Sequence, residues 1–156
     1  MQHGVEIGVL AEPAAKREAC RAITRTLPEW FGRPEANAAY ADGMVHRDVL
    51  AANLGGAVVA VLATEVRFGV TLELWWLGVR RDLHRRGIGT ALVARACDQA
   101  RQAGLRYAAV STLGPSWPDA NYAATRAFYA AMGFAPIVEV ETGATSIPMI
   151  WMVRAL

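Results

Sequence analysis

The segment Leu77-Gly-Val-Arg-Arg-Asp-Leu-His-Arg-Arg-Gly-Ile-Gly-Thr-Ala-Leu92 constrains this chain more than any other. An apolar strand ends in it, basic residues follow, and two glycines open a helix. The N–H groups at a helix start lack intrahelical partners and sit at the positive end of the helix dipole. Gly87 and Gly89 remove side chains that would block an approaching ligand, and Arg85 and Arg86 add charge. Such a turn suits a pyrophosphate. The plainer alternative is a tight turn whose glycines serve packing alone. Two other phosphate-binding patterns fail here. A P-loop needs a lysine after the second glycine, where Thr90 stands. A dinucleotide turn wants Gly or Ala at Leu92 and an acid closing the next strand, and that strand has none.

Around this turn the patterning alternates between strand and helix. Residues 5–10 read as a strand, residues 14–27 as a helix bounded by Pro13 and Pro28, and residues 34–42 as a second helix. Three β-rich runs follow at 45–52, 57–68 and 70–79, broken at Asn53-Leu-Gly-Gly56 and at Gly69, which predicts an antiparallel meander. Residues 85–103 carry Ile88, Leu92, Ala96 and Ala100 on one helical stripe, stopped by Gly104. A strand at 105–112, a helix at 121–132 closed by Gly133, and strands at 134–140 and 147–153 complete the order. Pro148 marks the last strand as an edge or a late starter. The crossover from 70–79 to 105–112 is expected to be parallel and right-handed. The fold class is therefore α+β: a mixed, mostly antiparallel central sheet of about seven strands with helices on both faces, in one domain across 1–156. With 156 residues, 54% of them hydrophobic, the chain can bury a core and is not a disordered one.

A second informative segment is Asn121-Tyr-Ala-Ala-Thr-Arg-Ala-Phe-Tyr-Ala-Ala-Met-Gly-Phe134. Ala124, Phe128 and Met132 form a core stripe at helical spacing. Asn121, Thr125 and Tyr129 form a separate one, which leaves Tyr129 available outside the core. A phenol so placed can give its proton to a departing thiolate. Together the two segments resemble motifs A and B of the GNAT acetyltransferase superfamily. Motif A is written Arg/Gln-x-x-Gly-x-Gly/Ala and reads His84-Arg-Arg-Gly-Ile-Gly here, with His84 departing at the first position. Motif B is Asn, Ala, an aromatic–Tyr pair and Gly-Phe. The resemblance runs over residues 73–134, and the earlier half matches in its order of elements.

That resemblance implies a GNAT-like fold in which strands 70–79 and 105–112 splay apart and acetyl-CoA lies in the gap. It places pantetheine along the backbone of Leu77, Gly78 and Val79, steadied by Asn121. The pyrophosphate falls on His84, Arg85, Arg86, Gly87, Ile88, Gly89 and Thr90. It also implies direct attack of a primary amine on the thioester, with the Val79 N–H holding the oxyanion and Tyr129 protonating the thiolate. No metal is called for. A non-catalytic acyl-CoA sensor on the same fold would share the glycine turn without needing Tyr129 or Glu73.

Glu73 is the expected general base. Strand alternation places it with Trp75, Leu77 and Val79, and a carboxylate in an apolar strand is costly unless paired or functional. An ion pair is its alternative. Trp30, Phe31, Trp75 and Trp117 are candidate acceptor-binding residues, with the Pro-containing loop 114–120 as a wall and His46 and Asp48 as further candidates. The acceptor is expected to be a small-molecule or peptide amine. A net charge of +2 gives no basis for a nucleic-acid partner. No apolar run is long enough for a membrane span, and no signal peptide is evident, so the expected compartment is the cytoplasm. Cys20 and Cys97 are read as buried small apolar residues. Pairing of two copies through terminal strands, a homodimer, is a further implication of the resemblance.

Overall fold

The computed structural model describes residues 4–142 and 146–156. Strands β1 (Val5–Val9), β2 (Asp48–Leu54), β3 (Ala57–Arg67), β4 (Thr71–Val79), β5 (Tyr107–Leu113), β6 (Ala135–Thr142) and β7 (Ile147–Ala155) alternate with helices α1 (Pro13–Thr24), α2 (Pro34–Met44), α3 (Ile88–Gln102) and α4 (Ala120–Ala131). The strands form one sheet in the order β1-β2-β3-β4-β5-β7-β6. Only β4 and β5 pair in parallel; every other neighbour is antiparallel. This is the mixed α+β sheet expected from the patterning.

Several boundaries move for identifiable reasons. α1 stops at Thr24, whose hydroxyl donates to the Cys20 carbonyl at 2.9 Å, and the chain then tightens into turns through Leu27. α3 starts at Ile88 rather than at residue 85, because Gly87 sits at φ +80° as its N-cap and the basic residues before it form a turn. β7 is not an edge strand: it lies between β5 and β6, and its pairing with β5 begins at Met149, just after Pro148.

Each face of the sheet has its own core. Leu62, Leu74, Ile88, Leu92, Val93, Tyr129 and Phe134 pack under α3 and α4. Ile23, Met44, Val49, Val61 and Trp76 pack under α1 and α2. Burial of such side chains contributes about 1.5–3 kcal/mol each before conformational entropy is set against it. Cys20 and Cys97 are buried free thiols, and burial pushes the Cys20 pKa up to about 11. No described helix is long and apolar enough to cross a membrane.

One irregularity positions everything that follows. Opposite β3, Ala63 pairs with Trp76 but Thr64 pairs with Leu74, so Trp75 is an extra residue in β4. A bulge of this kind resets the alternation of faces. Leu72 and Leu74 before it, and Leu77 and Val79 after it, all lie on the α3 side. Trp76 lies on the α1–α2 side, and a Cβ on Gly78 would run into Trp76 and Ile23 there. The β4–β5 ladder ends at the same point, at Leu74 opposite Val110.

Candidate active site

Past Leu74 the two parallel strands separate. β4 continues along β3 to Val79, while β5 continues along β7 to Leu113. A cleft of about 1160 Å³ opens between them. Its lining includes residues 74–79 of β4, residues 110–113 of β5, the start of α3, one side of α4, and residues 30–33. The backbone edge that β4 turns to this cleft has no strand partner. The Arg80 N–H donates to the Val59 carbonyl at 2.8 Å and so points toward β3. Strand alternation then aims the N–H and C=O of Leu77 and Val79 at the open side.

The chain leaves β4 through a 3-10 turn (Arg81–Leu83) and enters α3 through two left-handed residues, Arg85 at φ +60° and Gly87 at φ +80°. A non-glycine residue held there costs of order 1–3 kcal/mol, and such outliers cluster at ligand clamps. Left-handed residues alternating with others turn successive N–H groups into a concavity that suits an anion. His84, Arg85, Gly87, Ile88, Gly89 and Thr90 line this end of the cleft. The Ile88 side chain is buried among the core residues, which leaves its backbone to face outward. Arg86 is exposed and outside the lining; its charge helps hold the Asp82 carboxyl below its usual range, behind the larger effect of Arg80. The His84 side chain has a definite place: Nε2 lies 2.7 Å from the Val79 carbonyl oxygen and its ring packs edge-on to Trp30. Because a carbonyl only accepts, Nε2 carries the proton.

Glycine at 89 is not demanded by packing. A Cβ there would lie 3.5 Å from Phe128 Cζ and 3.6 Å from Val79 Cγ2, which are ordinary contacts. It would simply occupy cleft space beside the first turn of α3.

Across the cleft stands α4, capped by Asp119, whose carboxylate accepts from the N–H groups of Asn121 and Tyr122. Asn121 and Tyr129 both line the cleft. Tyr129 is also a core residue, 5% exposed and packed on Phe128 and Phe134. Burial alone pushes its phenol well above the ordinary tyrosine range, so it stays protonated. Of the stripe expected in the core, Phe128 and Met132 are partly buried and pack against it, while Ala124 is exposed; Asn121, Thr125 and Tyr129 line the cleft, and Tyr129 is also the buried residue of the helix rather than one outside the core.

At the other end Trp30, Phe31, Trp75 and Trp117 come together around the cleft as grouped from the sequence. The Trp30 indole N–H donates to Thr125 Oγ1 at 3.2 Å, and its carbonyl accepts from the Tyr122 hydroxyl at 2.7 Å. These bonds tie the α1–α2 connection to α4. Tyr122, Thr125, Asn37 and Tyr40 belong to this wall and were not singled out from the sequence; the placing of Thr125 on the stripe with Asn121 and Tyr129 was the one available signal.

Glu73 is not in the cleft. The bulge at Trp75 reverses the parity that put it with Leu77 and Val79. It stands opposite Glu65, and its carboxylate accepts from Arg67 Nε at 2.6 Å. His46 and Asp48 also lie outside the cleft lining.

A model of the acetyltransferase (GNAT) family matches residues 16–134. A search of curated proteins finds no match. Among solved structures, Ard1 from Thermoplasma volcanium is 16% identical with a TM-score of 0.77, over 98% of each chain. The ribosomal-protein-S18-alanine N-acetyltransferase from Escherichia coli is 20% identical with a TM-score of 0.75, over 97% of this chain and 93% of that one. A GNAT family acetyltransferase from Elizabethkingia anophelis with acetyl-CoA bound is 13% identical with a TM-score of 0.70, over 99% of this chain and 100% of that one. At these identities the likeness concerns the fold.

Proposed function

Because the chain belongs to the acetyltransferase (GNAT) family, we propose that it transfers an acetyl group from acetyl-CoA directly to a primary amine of a small molecule or peptide. When bound, acetyl-CoA supplies the acetyl group as an activated thioester. The observation that carries the reading is continuity: the open β4 edge, the amide-rich entry to α3 and Tyr129 share one cleft. The space kept free beside Gly89, where packing would accept a methyl group, fits the same ligand.

Each residue then has a physical task. The N–H groups of residues 85–89, the α3 dipole and Arg85 hold the pyrophosphate. Leu77 and Val79 offer backbone groups along the open edge. His84 engages the Val79 carbonyl, and the Val79 N–H serves the oxyanion. Asn121 steadies the pantetheine arm. Tyr129, protonated because it is buried, donates to the leaving sulfur. Since no carboxylate among the described residues lines the cleft, the amine loses its proton to water rather than to Glu73.

The test is release of free CoA thiol from acetyl-CoA across an amine panel, with the acetylated product identified by mass. Amine-dependent release is expected. Tight acetyl-CoA binding with no release for any amine would overturn catalysis in favour of a sensor.

A further inference from the structure

The acceptor end of the cleft differs in chemistry from the cofactor end. Its walls are aromatic, and they are fixed. Phe31 packs on Trp76 at 5.2 Å between ring centroids and on Tyr40 at 6.0 Å, and Tyr40 packs on Trp75 at 5.8 Å. Trp30 is pinned by Thr125 and Tyr122, and Trp117 covers the mouth at 50% exposure. Formal charge in the lining comes from Arg33, Arg81 and Arg85, and among the described residues no aspartate or glutamate lines the cleft; Arg33 and Arg81 pair with Glu35 and Glu29 outside the lining, at 3.4 and 2.6 Å. A further acidic pair, Glu139 and Glu141, belongs to a neighbouring depression that shares only Trp117 with the cleft. Both Glu139 oxygens are taken there by Ser116.

From this lining we infer that the acceptor is a monoamine carried on an aromatic or bulky apolar body, and not a polycation. The inference rests on the acetyltransferase reading and narrows it. A polyamine or aminoglycoside would have to desolvate several ammonium groups with no carboxylate in the lining to receive them, Glu29 and Glu35 being held by Arg81 and Arg33. A single ammonium pays that penalty once and is pushed toward its neutral, nucleophilic form by the apolar surroundings. An aromatic body supplies the contact area that these walls can bury.

The experiment has two arms. Calorimetry with acetyl-CoA tests the cofactor site by itself. Thiol-release kinetics then compare tryptamine and 2-phenylethylamine with ethylamine, spermidine and kanamycin. The arylalkylamines are expected to exceed the others in kcat/KM by about tenfold or more. Equal or better use of spermidine or kanamycin, ethylamine matching phenylethylamine, or no turnover of either arylalkylamine while acetyl-CoA binds would each overturn the inference and leave the cofactor reading standing. Absence of acetyl-CoA binding would remove both. Ala36→Asp, which adds a carboxylate to the lining near the start of α2, should move the spermidine-to-tryptamine ratio toward spermidine by about fivefold or more. An unmoved ratio would show that the missing carboxylate does not set the preference.

Discussion

Replacing Gly89 by alanine should stabilise the fold and weaken cofactor binding, two effects of opposite sign from one methyl group. With Gly87 as N-cap, residue 89 is the second of α3 and has helical backbone. Alanine in a helix interior is favoured over glycine by about 0.8–1 kcal/mol, and at this early position we take about half of that. The new Cβ would meet Phe128 and Val79 at 3.5 and 3.6 Å, close enough for contact and too far for a clash. For a chain of this size about 0.5 kcal/mol corresponds to a rise in Tm of about 1–2 °C. The methyl group would also stand among the amides that receive the pyrophosphate. Loss of one hydrogen bond to a charged group costs about 1.5–3 kcal/mol, which raises Kd about ten- to a hundredfold. Thermal melts without ligand and calorimetry with acetyl-CoA measure the two effects separately. Gly87→Ala is the control: at φ +80° it should cost about 1–2 kcal/mol and lower Tm. Wild-type acetyl-CoA affinity in G89A would refute the phosphate seat, and a lower Tm would mean that packing had demanded glycine after all.

Tyr129→Phe should lower kcat by about a hundredfold or more at nearly constant acetyl-CoA affinity; an unchanged kcat would remove Tyr129 from proton transfer. Glu73→Gln should leave kcat/KM and its pH profile unchanged, because the carboxylate answers to Arg67 outside the cleft, and a flattened acidic limb would return it to the mechanism. Phe68 is 98% exposed at φ +52° and is followed by Gly69 at φ +70°, the paired positive angles of a hairpin turn that favours Asn-Gly. Phe68→Asn should therefore gain about 1 kcal/mol and raise Tm by about 2–4 °C, and a loss would reveal a contact made by the ring. Burial pushes the Tyr122 pKa up to about 12, above the ordinary 10, so its stabilising contribution is complete below pH 10 and fades as pH rises from 10 through 12. Tyr122→Phe should flatten that alkaline loss in urea titrations at stepped pH, and an identical loss in the variant would exclude Tyr122 as a cause.

The order of elements was legible because each rests on local periodicity and on breakers such as Pro28, Gly69, Gly104 and Gly133. The errors came from geometry that no local pattern encodes. Glu73 was placed by counting in twos along β4, and the count fails at Trp75, where a bulge inserts one residue against β3. Tyr129 was placed by counting in fours along α4, which says which residues share a stripe but not which stripe is covered. The cover comes from Phe134, brought back by the turn at Gly133 so that its N–H reaches the Tyr129 carbonyl at 3.1 Å and its ring the phenol. The contact of His84 with the Val79 carbonyl depends on the 3-10 turn between them, and histidine in a basic run carries no sign of it.

The bulge also explains why the two ends of the cleft differ in how far sequence discloses them. A bulge strengthens local twist, and the one at Trp75 falls where β4 parts from β5, leaving the N–H and C=O of Leu77 and the N–H of Val79 on an open edge, with the Val79 carbonyl met by His84. Buried main-chain groups need partners, so a gap of this kind calls for water or a ligand with amide-like chemistry. The demand is made by the path of the backbone and by the entry to α3, which Gly87 marks in the sequence. At the other end Trp30, Phe31, Tyr40, Trp75 and Trp117 make the surface with their own rings, and among the described residues no carboxylate joins them in the lining. A site made of amides follows from the fold and can be read with it, whereas one made of side chains has to be read from the cleft.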